Sequence, residues 1–241
     1  MTEFLRAASD AAARISGRLG EGWLEEYSNR YEIGAGGDVS AGIDKMAEEF
    51  YLEAFDGLGQ IDSEESGIIG DGEARIVLDP IDGSDNALSG LPYFGSSIAL
   101  ERDGRVEEAV VVNLANGDLF YKSDGPLMRG RIGGAHLSQV YRRESASIGV
   151  FERAYAYPEL AKRVFEEGIK FRSPGAVALS LAYAHYVDFV IFAGPRRRYD
   201  FAAALWMCEG LEIVERENLL IVAKDPETAE ILRRAALHDE G

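Results

Sequence analysis

The sequence of 241 residues predicts an α/β protein in which an α+β half is followed by an α/β half. In the first half, two segments with helical periodicity precede a run of short apolar segments separated by turn residues. In the second half, strand-like and helical segments alternate, which is typical of an α/β layer. The segment 123–145 between them is rich in Gly and turn residues, and we divide the chain there into 1–135 and 136–241.

Amphipathic helices are predicted at the start of the first half. Apolar residues recur every three or four positions over 3–19 and over roughly 40–55, which is the spacing of one buried helix face. The Gly-rich segment 31–40 between them is predicted to be a loop. Buried or half-buried strands follow, separated by turn residues, at 74–79, 96–100, 106–113 and 118–122.

The second half is predicted to alternate between strands and helices. Its strands are short apolar runs, predicted at 147–151, 188–193, 211–215 and 219–223. Its helices show helical spacing or continuous apolar character, predicted at 158–168, 177–187, 200–210 and 226–237. This alternation predicts that helices cover the faces of a second sheet.

The composition excludes several classes of protein. A net charge of −17 argues against nucleic acid or an anionic membrane as partners. No apolar run is long enough to span a membrane, and no basic segment followed by an apolar core suggests a secretory signal. The single cysteine, Cys208, fits a reducing compartment, and we expect a cytoplasmic protein. An anionic substrate would need cations to bridge it to so acidic a chain.

The peptide LDPIDGSDN places Asp79 and Asp82 three positions apart at the end of a predicted strand. A plain turn could have this composition. Alternatively, both carboxylates and the carbonyl of Ile81 face a divalent cation, which would offset the repulsion between the charges. If a helix begins near Ser84, the amides of Gly83 and Ser84 could bind an anion such as phosphate.

Five further acidic residues occur in similar local sequences. They lie beside small or turn residues or at predicted helix starts, at Asp38, Asp44, Glu64, Glu65 and Asp200. Each alone could be a solvated charge or a helix N-cap. The histidines, His136, His185 and His238, show no metal spacing. Carboxylates without His or Cys favour Mg²⁺ or Mn²⁺ over zinc.

Together, SEES, DPIDGS and a later D-x-A-A resemble the inositol monophosphatase family, part of a lithium-sensitive, magnesium-dependent superfamily that includes fructose-1,6-bisphosphatases. The segment GAGGDVSAGIDK at 34–45 resembles the mobile loop and helix start of archaeal members, many of which have both activities. The resemblance implies a layered αβαβα sandwich, a homodimer, and a site between the two halves. It places most metal ligands in the first half and the last one in the second.

The resemblance also implies a role for each acidic position. Two or three Mg²⁺ ions would bind per site, with Mn²⁺ as an alternative. The first ion would take Glu64, Asp79 and the Ile81 carbonyl, and the second would take Asp79, Asp82 and Asp200. Glu65 would contact a third, loosely held ion or only support the site, and Asp38 would help recruit that ion.

Catalysis, by the same resemblance, uses a water that attacks phosphorus directly. Asp44 and Ser84 would orient and activate this water, and the Gly83 and Ser84 amides would bind the phosphate. No phosphoenzyme intermediate is expected.

The substrate is indicated by departures from the family pattern. Ala193 stands where animal members carry a glutamate that contacts inositol, and Ala176, after Gly175, replaces the usual Ser or Thr. Arg172 could compensate for the lost hydrogen bond. Three arginines precede Asp200, namely Arg196, Arg197 and Arg198. They would suit a second phosphate, or would only balance an acidic surface.

We therefore predict a phosphomonoester hydrolase for fructose 1,6-bisphosphate, with inositol 1-phosphate as a second substrate. One alternative is a sister activity on 3′-phosphoadenosine 5′-phosphate or NADP. Another is a non-catalytic, metal-binding regulatory protein, which is disfavoured because every acidic position that the mechanism needs is present.

Overall fold

The computed structural model describes residues 1–237, and His238 lies outside the described residues. The helices are α1 (Glu3–Gly20), α2 (Gly42–Ala54), α3 (Ser84–Leu88), α4 (Pro158–Glu166), α5 (Val177–Ala182), α6 (Arg198–Phe201) and α7 (Pro226–Leu237). The strands of the first sheets are β1 (Arg30–Ile33), β2 (Val39–Ala41), β3 (Gln60–Ser63), β4 (Gly67–Ile69), β5 (Arg75–Asp82), β6 (Gly95–Arg102), β7 (Arg105–Asn113), β8 (Asp118–Lys122), β9 (Met128–Arg131) and β10 (Ser138–Gln139). The remaining strands are β11 (Gly149–Glu152), β12 (Phe171–Arg172), β13 (Phe189–Ala193), β14 (Glu212–Arg216) and β15 (Leu219–Ala223).

Eight strands form the larger sheet, in the order β10-β9-β8-β7-β6-β5-β3-β4. The predicted antiparallel run is confirmed from β5 to β8. Short turns connect β6 to β7 and β7 to β8, whereas α3 lies between β5 and β6. Two strands were not predicted from the sequence: β3, which pairs parallel with β5, and β4, which returns antiparallel beside β3.

Alternating side chains give this sheet two buried faces. Ile76 and Leu78 pack in one apolar cluster with α1 and α2, whereas Val77 packs in the cluster on the opposite face. That second cluster contains α5 and residues of α6. Successive residues of a strand point to opposite faces, so an apolar strand buried on both sides holds a helical layer on each.

The smaller sheet has the order β12-β11-β13-β15-β14, with β11, β12 and β13 parallel and the other pairs antiparallel. Val190 faces the cluster shared with α5, and Ile191 faces a third cluster that contains residues of α4 and α7. The layers therefore run α1/α2, large sheet, α5/α6, small sheet, α4/α7. This order confirms the αβαβα sandwich.

Two helices of the second half are shorter in the structure than predicted. The helix predicted at 200–210 is the short α6 followed by turns and a 3₁₀ segment at Trp206–Cys208. Ala203, Ala204 and Met207 are fully buried there, so packing between the sheets sets the path of the chain. The helix predicted at 177–187 likewise ends as α5 at Ala182, before a 3₁₀ turn.

Two segments predicted to be irregular contain strands. The hairpin β1–β2 occupies most of the predicted loop 31–40. Strands β9 and β10 lie in the predicted boundary region, and β10 joins the large sheet although it follows residue 135. The division at 135/136 stays a prediction. Within residues 1–237, none of the helices combines the length and apolar character that a membrane crossing requires.

Candidate active site

An acidic cavity of about 520 Å³ opens where β5 ends, between residues of the two sheets. The acidic side chains that line it are Asp38, Asp44, Glu64, Glu65, Asp79, Asp82, Asp85, Glu152 and Asp200. All the acidic positions predicted for the site are therefore brought together. So many carboxylates in one cavity repel each other, and a cation in their midst would offset that repulsion.

A bulge in β5 brings Asp79 and Asp82 to the same cavity. Two residues three positions apart in a regular strand point to opposite faces. Here Asp79 pairs with Ser97 and Asp82 with Gly95, so β5 contains one more residue than β6 between these pairs. The carbonyl of Pro80, within the bulge, accepts a 2.7 Å hydrogen bond from Ser96 Oγ. Ile81 also lies in the bulge and lines the cavity.

Glu64, Asp79 and Asp200 offer carboxylate oxygens that lie within 4.8 Å of one another. Burial raises the pKa of Glu64 to about 8, against the opposing effect of the Arg197 charge. Burial, and then the neighbouring carboxylates, raise the pKa of Asp79 well above its ordinary value. An all-oxygen donor set of this kind fits a hard divalent cation such as Mg²⁺.

Arg197 lies among these carboxylates. Its Nη1 donates to Glu64 Oε1 at 2.7 Å and to Asp38 Oδ2 at 2.5 Å, and its Nε donates to Asp200 Oδ2 at 3.1 Å. These bonds join the loop that carries Asp38 to the buried cluster. Arg197 thus neutralises part of the acidic charge.

Two buried carboxylates hold the start of α5. Asp82 accepts from the amides of Val177 and Leu179, both at 2.9 Å. Glu152, at the end of β11, accepts from the Gly175 amide at 2.8 Å and from Ser180 Oγ at 2.5 Å. Glu152 was not predicted from the sequence, although an acidic residue at the end of an apolar strand repeats the pattern of β5.

Asp44 lies in the first turn of α2, where its Oδ2 accepts a 2.8 Å bond from the Ala41 amide. Burial raises its pKa to about 7, although the Ala41 bond opposes the rise. A carboxyl group with a pKa near neutrality can exchange a proton with water in the working range of most enzymes. Asp44 is therefore chemically suited to act as a base.

Gly83 forms the sharp corner between β5 and α3. Its φ of 86° lies in the left-handed region, and a Cβ there would come within 3.0 Å of Ala176 Cβ and 3.1 Å of the Gly175 carbonyl. Glycine is thus required both for the turn and for the close approach of α5. Ser84 follows as the first residue of α3 and lines the cavity.

The turn between β3 and β4, which carries Glu64 and Glu65, is fastened to α2. Glu48 accepts from Ser63 Oγ at 2.5 Å, Ser66 Oγ at 2.7 Å and the Ser66 amide at 3.0 Å. Glu48 is one helical turn after Asp44, so one helix positions two parts of the cavity. This role of Glu48 was not predicted from the sequence.

Several residues predicted to contact substrate lie elsewhere. Arg196 bonds to Glu215 at 2.6 Å, and Arg198 pairs with Asp62 at 2.8 Å and with Glu101. Arg172 donates to its neighbouring carbonyl. None of these three is part of the cavity lining, whereas Gly175 is. Ala176 is buried behind Gly83.

Comparison with known proteins gives a consistent result. The model of the inositol monophosphatase family matches residues 1–211. A fructose-1,6-bisphosphatase/inositol-1-monophosphatase of Archaeoglobus fulgidus is 27% identical over 216 residues, which are 85% of this chain and 81% of the relative. The Nus factor SuhB of Escherichia coli K12 is 33% identical over 179 residues, 69% of this chain and 67% of the relative.

Solved structures share the fold. The extragenic suppressor protein suhB of Bartonella henselae superimposes with a TM-score of 0.78 at 22% identity, and all of both chains is covered. An IMPase of Thermotoga maritima gives a TM-score of 0.76 at 21% identity, covering 98% of this chain and 99% of that one.

Proposed function

Because the chain belongs to the inositol monophosphatase family, a family of phosphatases, we propose that it is a Mg²⁺-dependent phosphomonoester hydrolase of small sugar and inositol phosphates. Fructose 1,6-bisphosphate and inositol 1-phosphate are the proposed substrates. The proposal is carried by one observation: the carboxylates of Glu64, Asp79 and Asp200 converge beside the Gly83 corner. A cytoplasmic location and a homodimer stay predictions.

The proposed metal site uses side chains from three parts of the fold. Glu64 comes from the β3–β4 turn, Asp79 from β5 and Asp200 from α6. Asp82 and the Ile81 carbonyl would complete the set, with Glu65 and Asp38 at its edge. When bound, Mg²⁺ lowers the pKa of water and neutralises the charge that develops on the phosphate oxygens.

The chain's own contribution is orientation and proton transfer. Asp44, with its raised pKa, would hold a water by its other carboxylate oxygen and take a proton from it as the water oxygen attacks phosphorus. The ester P–O bond would break on the opposite side, and the leaving alkoxide would take a proton from solvent. The Ser84 hydroxyl would fix the same water. The first amides of a helix lack intrahelical acceptors, so the Gly83 and Ser84 amides would hold the phosphate in line with it.

Release of inorganic phosphate tests the proposal. The purified protein would be assayed with Mg²⁺, and with EDTA in its place, on fructose 1,6-bisphosphate, inositol 1-phosphate, 3′-phosphoadenosine 5′-phosphate and NADP. We expect Mg²⁺-dependent release led by the first two. Release led by an adenine nucleotide would keep the reaction and reject the substrates. No release from any of them would favour a non-catalytic role.

A further inference from the structure

Arg153 differs from the other arginines near the site because its guanidinium group forms no direct bond to a carboxylate in the described part of the chain. It lines the cavity together with Arg197, yet within residues 1–237 its side chain forms no hydrogen bond or ion pair. The ring centroid of Phe192 lies 6.0 Å from the Cζ of Arg153, and the Arg153 charge is one of those that oppose the burial-driven rise in the pKa of Asp200. In contrast, Arg196, Arg197 and Arg198 all bind carboxylates.

The backbone of Arg153 is held in a conformation that suits glycine. Its φ of 61° and ψ of 27° place it in the left-handed region. Among the described residues, the only other non-glycine residue with a positive φ is Asp103, in a hairpin turn. A residue with a long side chain is strained there relative to glycine. Strained positions of this kind cluster at functional sites.

Space is left for the Arg153 guanidinium group by Gly194. A Cβ on Gly194 would come within 2.4 Å of Arg153 Nη1 and 3.1 Å of the Tyr157 hydroxyl. Gly194 follows β13 directly, beside the strand end that carries Arg153. The ends of two neighbouring strands thus present a guanidinium group to the cavity.

From these observations we propose that Arg153 binds a second phosphate of the substrate, remote from the one that is hydrolysed, and so selects bisphosphorylated small sugars. A planar, permanently charged guanidinium group can hold a phosphate by two parallel hydrogen bonds. In a cavity lined by so many carboxylates, an unpaired arginine is the group best able to attract this anion. This inference rests on the proposed function and moves the second-phosphate role from Arg196–Arg198 to Arg153.

The variant Arg153→Gly tests the proposal without endangering the fold, since glycine suits the left-handed backbone. We expect KM for fructose 1,6-bisphosphate to rise about tenfold or more, with kcat within about threefold. Both constants for inositol 1-phosphate should stay within about twofold, and the Tm should equal or exceed that of the parent. Equal losses on both substrates, or no change on either, would overturn the proposal.

Binding in an inactive background separates this inference from the proposed function. Calorimetric titration of Asp44→Asn in Mg²⁺ with fructose 1,6-bisphosphate and with inositol 1-phosphate needs no turnover. Adding Arg153→Gly should weaken only the bisphosphate, whereas adding Arg18→Ala, which removes the same charge at the end of α1, should weaken neither. A parent that hydrolyses no bisphosphate contradicts the proposed function. The role of Arg153 is rejected if the parent protein binds bisphosphate no tighter than monophosphate. It is also rejected if Arg196→Ala, and not Arg153→Gly, selectively weakens bisphosphate binding.

Discussion

At the scale of single residues, Asp79 and Asp82 differ in what holds them. Asp82 accepts two amide hydrogen bonds from α5, whereas no hydrogen bond to the Asp79 side chain is found within residues 1–237. Asp79→Asn should therefore lower kcat about 10³-fold or more and weaken Mg²⁺ binding. The metal-free protein should keep or gain stability, because one of several neighbouring buried carboxylates is removed. Assays of phosphate release, Mg²⁺ calorimetry and a Tm in EDTA check these three expectations.

Asp82→Asn is the matched comparison. From the sequence alone this variant is expected to lose turnover with its fold intact. The structure adds a cost, because the amide NH₂ of asparagine would face one of the two backbone amides, and a lost buried hydrogen bond costs about 1–3 kcal/mol. We expect a lower Tm for Asp82→Asn than for Asp79→Asn in EDTA. The reverse order would contradict the bonds assigned to Asp82.

The sequence predicted the residues that carry the site's own charge and missed those that act through distant contacts. Asp79, Asp82 and Gly83 could be predicted because they lie together in one short peptide. Glu152 repeats the pattern of an acidic residue at the end of an apolar strand, but its partners Gly175 and Ser180 lie more than twenty positions away. The spacing of residues along the chain does not predict hydrogen bonds between such distant residues, because the tertiary fold determines which loop contacts which strand.

At the scale of elements, α2 and the β3–β4 turn act as one unit through Glu48. Glu48→Ala should free Ser63 and Ser66 and loosen the turn that carries Glu64, so we expect Mg²⁺ affinity to fall about 10- to 100-fold. At saturating Mg²⁺, kcat should largely recover. Calorimetry and a Mg²⁺ titration of phosphate release measure both effects.

Glu49→Ala provides the control on the same helix, because Glu49 is the exposed neighbour of Glu48. It removes an equal charge without touching the turn and should leave Mg²⁺ affinity unchanged. Equal weakening in both variants would mean that general charge, and not the fastening of the turn, sets the affinity. An unaltered affinity in Glu48→Ala would reject the role of Glu48 outright.

Elements with a regular pattern were predicted and the others were not. The apolar stripes of α1 and α2 mark one buried face each, and the turn residues between β6, β7 and β8 mark their hairpins. Strand β3 has four residues and is specified by its parallel pairing with β5, not by its own sequence. Residues 201–208 are all apolar, so the periodicity of this segment could not show where α6 ends.

At the scale of the whole molecule, buried acids make the stability of the metal-free protein depend on pH. Burial raises the pKa of Glu64 to about 8 and that of Asp44 to about 7, above their ordinary values of 4.5 and 3.8. The native state then binds more protons than the unfolded chain, so the free energy of unfolding falls as pH rises through these raised values. Groups with lowered pKa values, such as Asp118 and the half-buried His185, titrate below this effect, which is therefore measured between pH 6.5 and 8.5.

We therefore expect the Tm measured in EDTA to fall from pH 6.5 to pH 8.5, and excess Mg²⁺ to restore most of the loss at pH 8.5. Mg²⁺ binds the ionised carboxylates of the folded state, so its stabilising effect should grow with pH over the same interval. Because the net charge of −17 also disfavours the folded state at high pH, the variant Glu64→Gln is needed to isolate the site. It should flatten the slope in EDTA and reduce the Mg²⁺ response, whereas the exposed-surface variant Glu49→Gln should change neither. A Tm in EDTA that rises over this interval, or a slope that Glu64→Gln leaves intact, would show that the buried carboxylates do not govern the pH dependence.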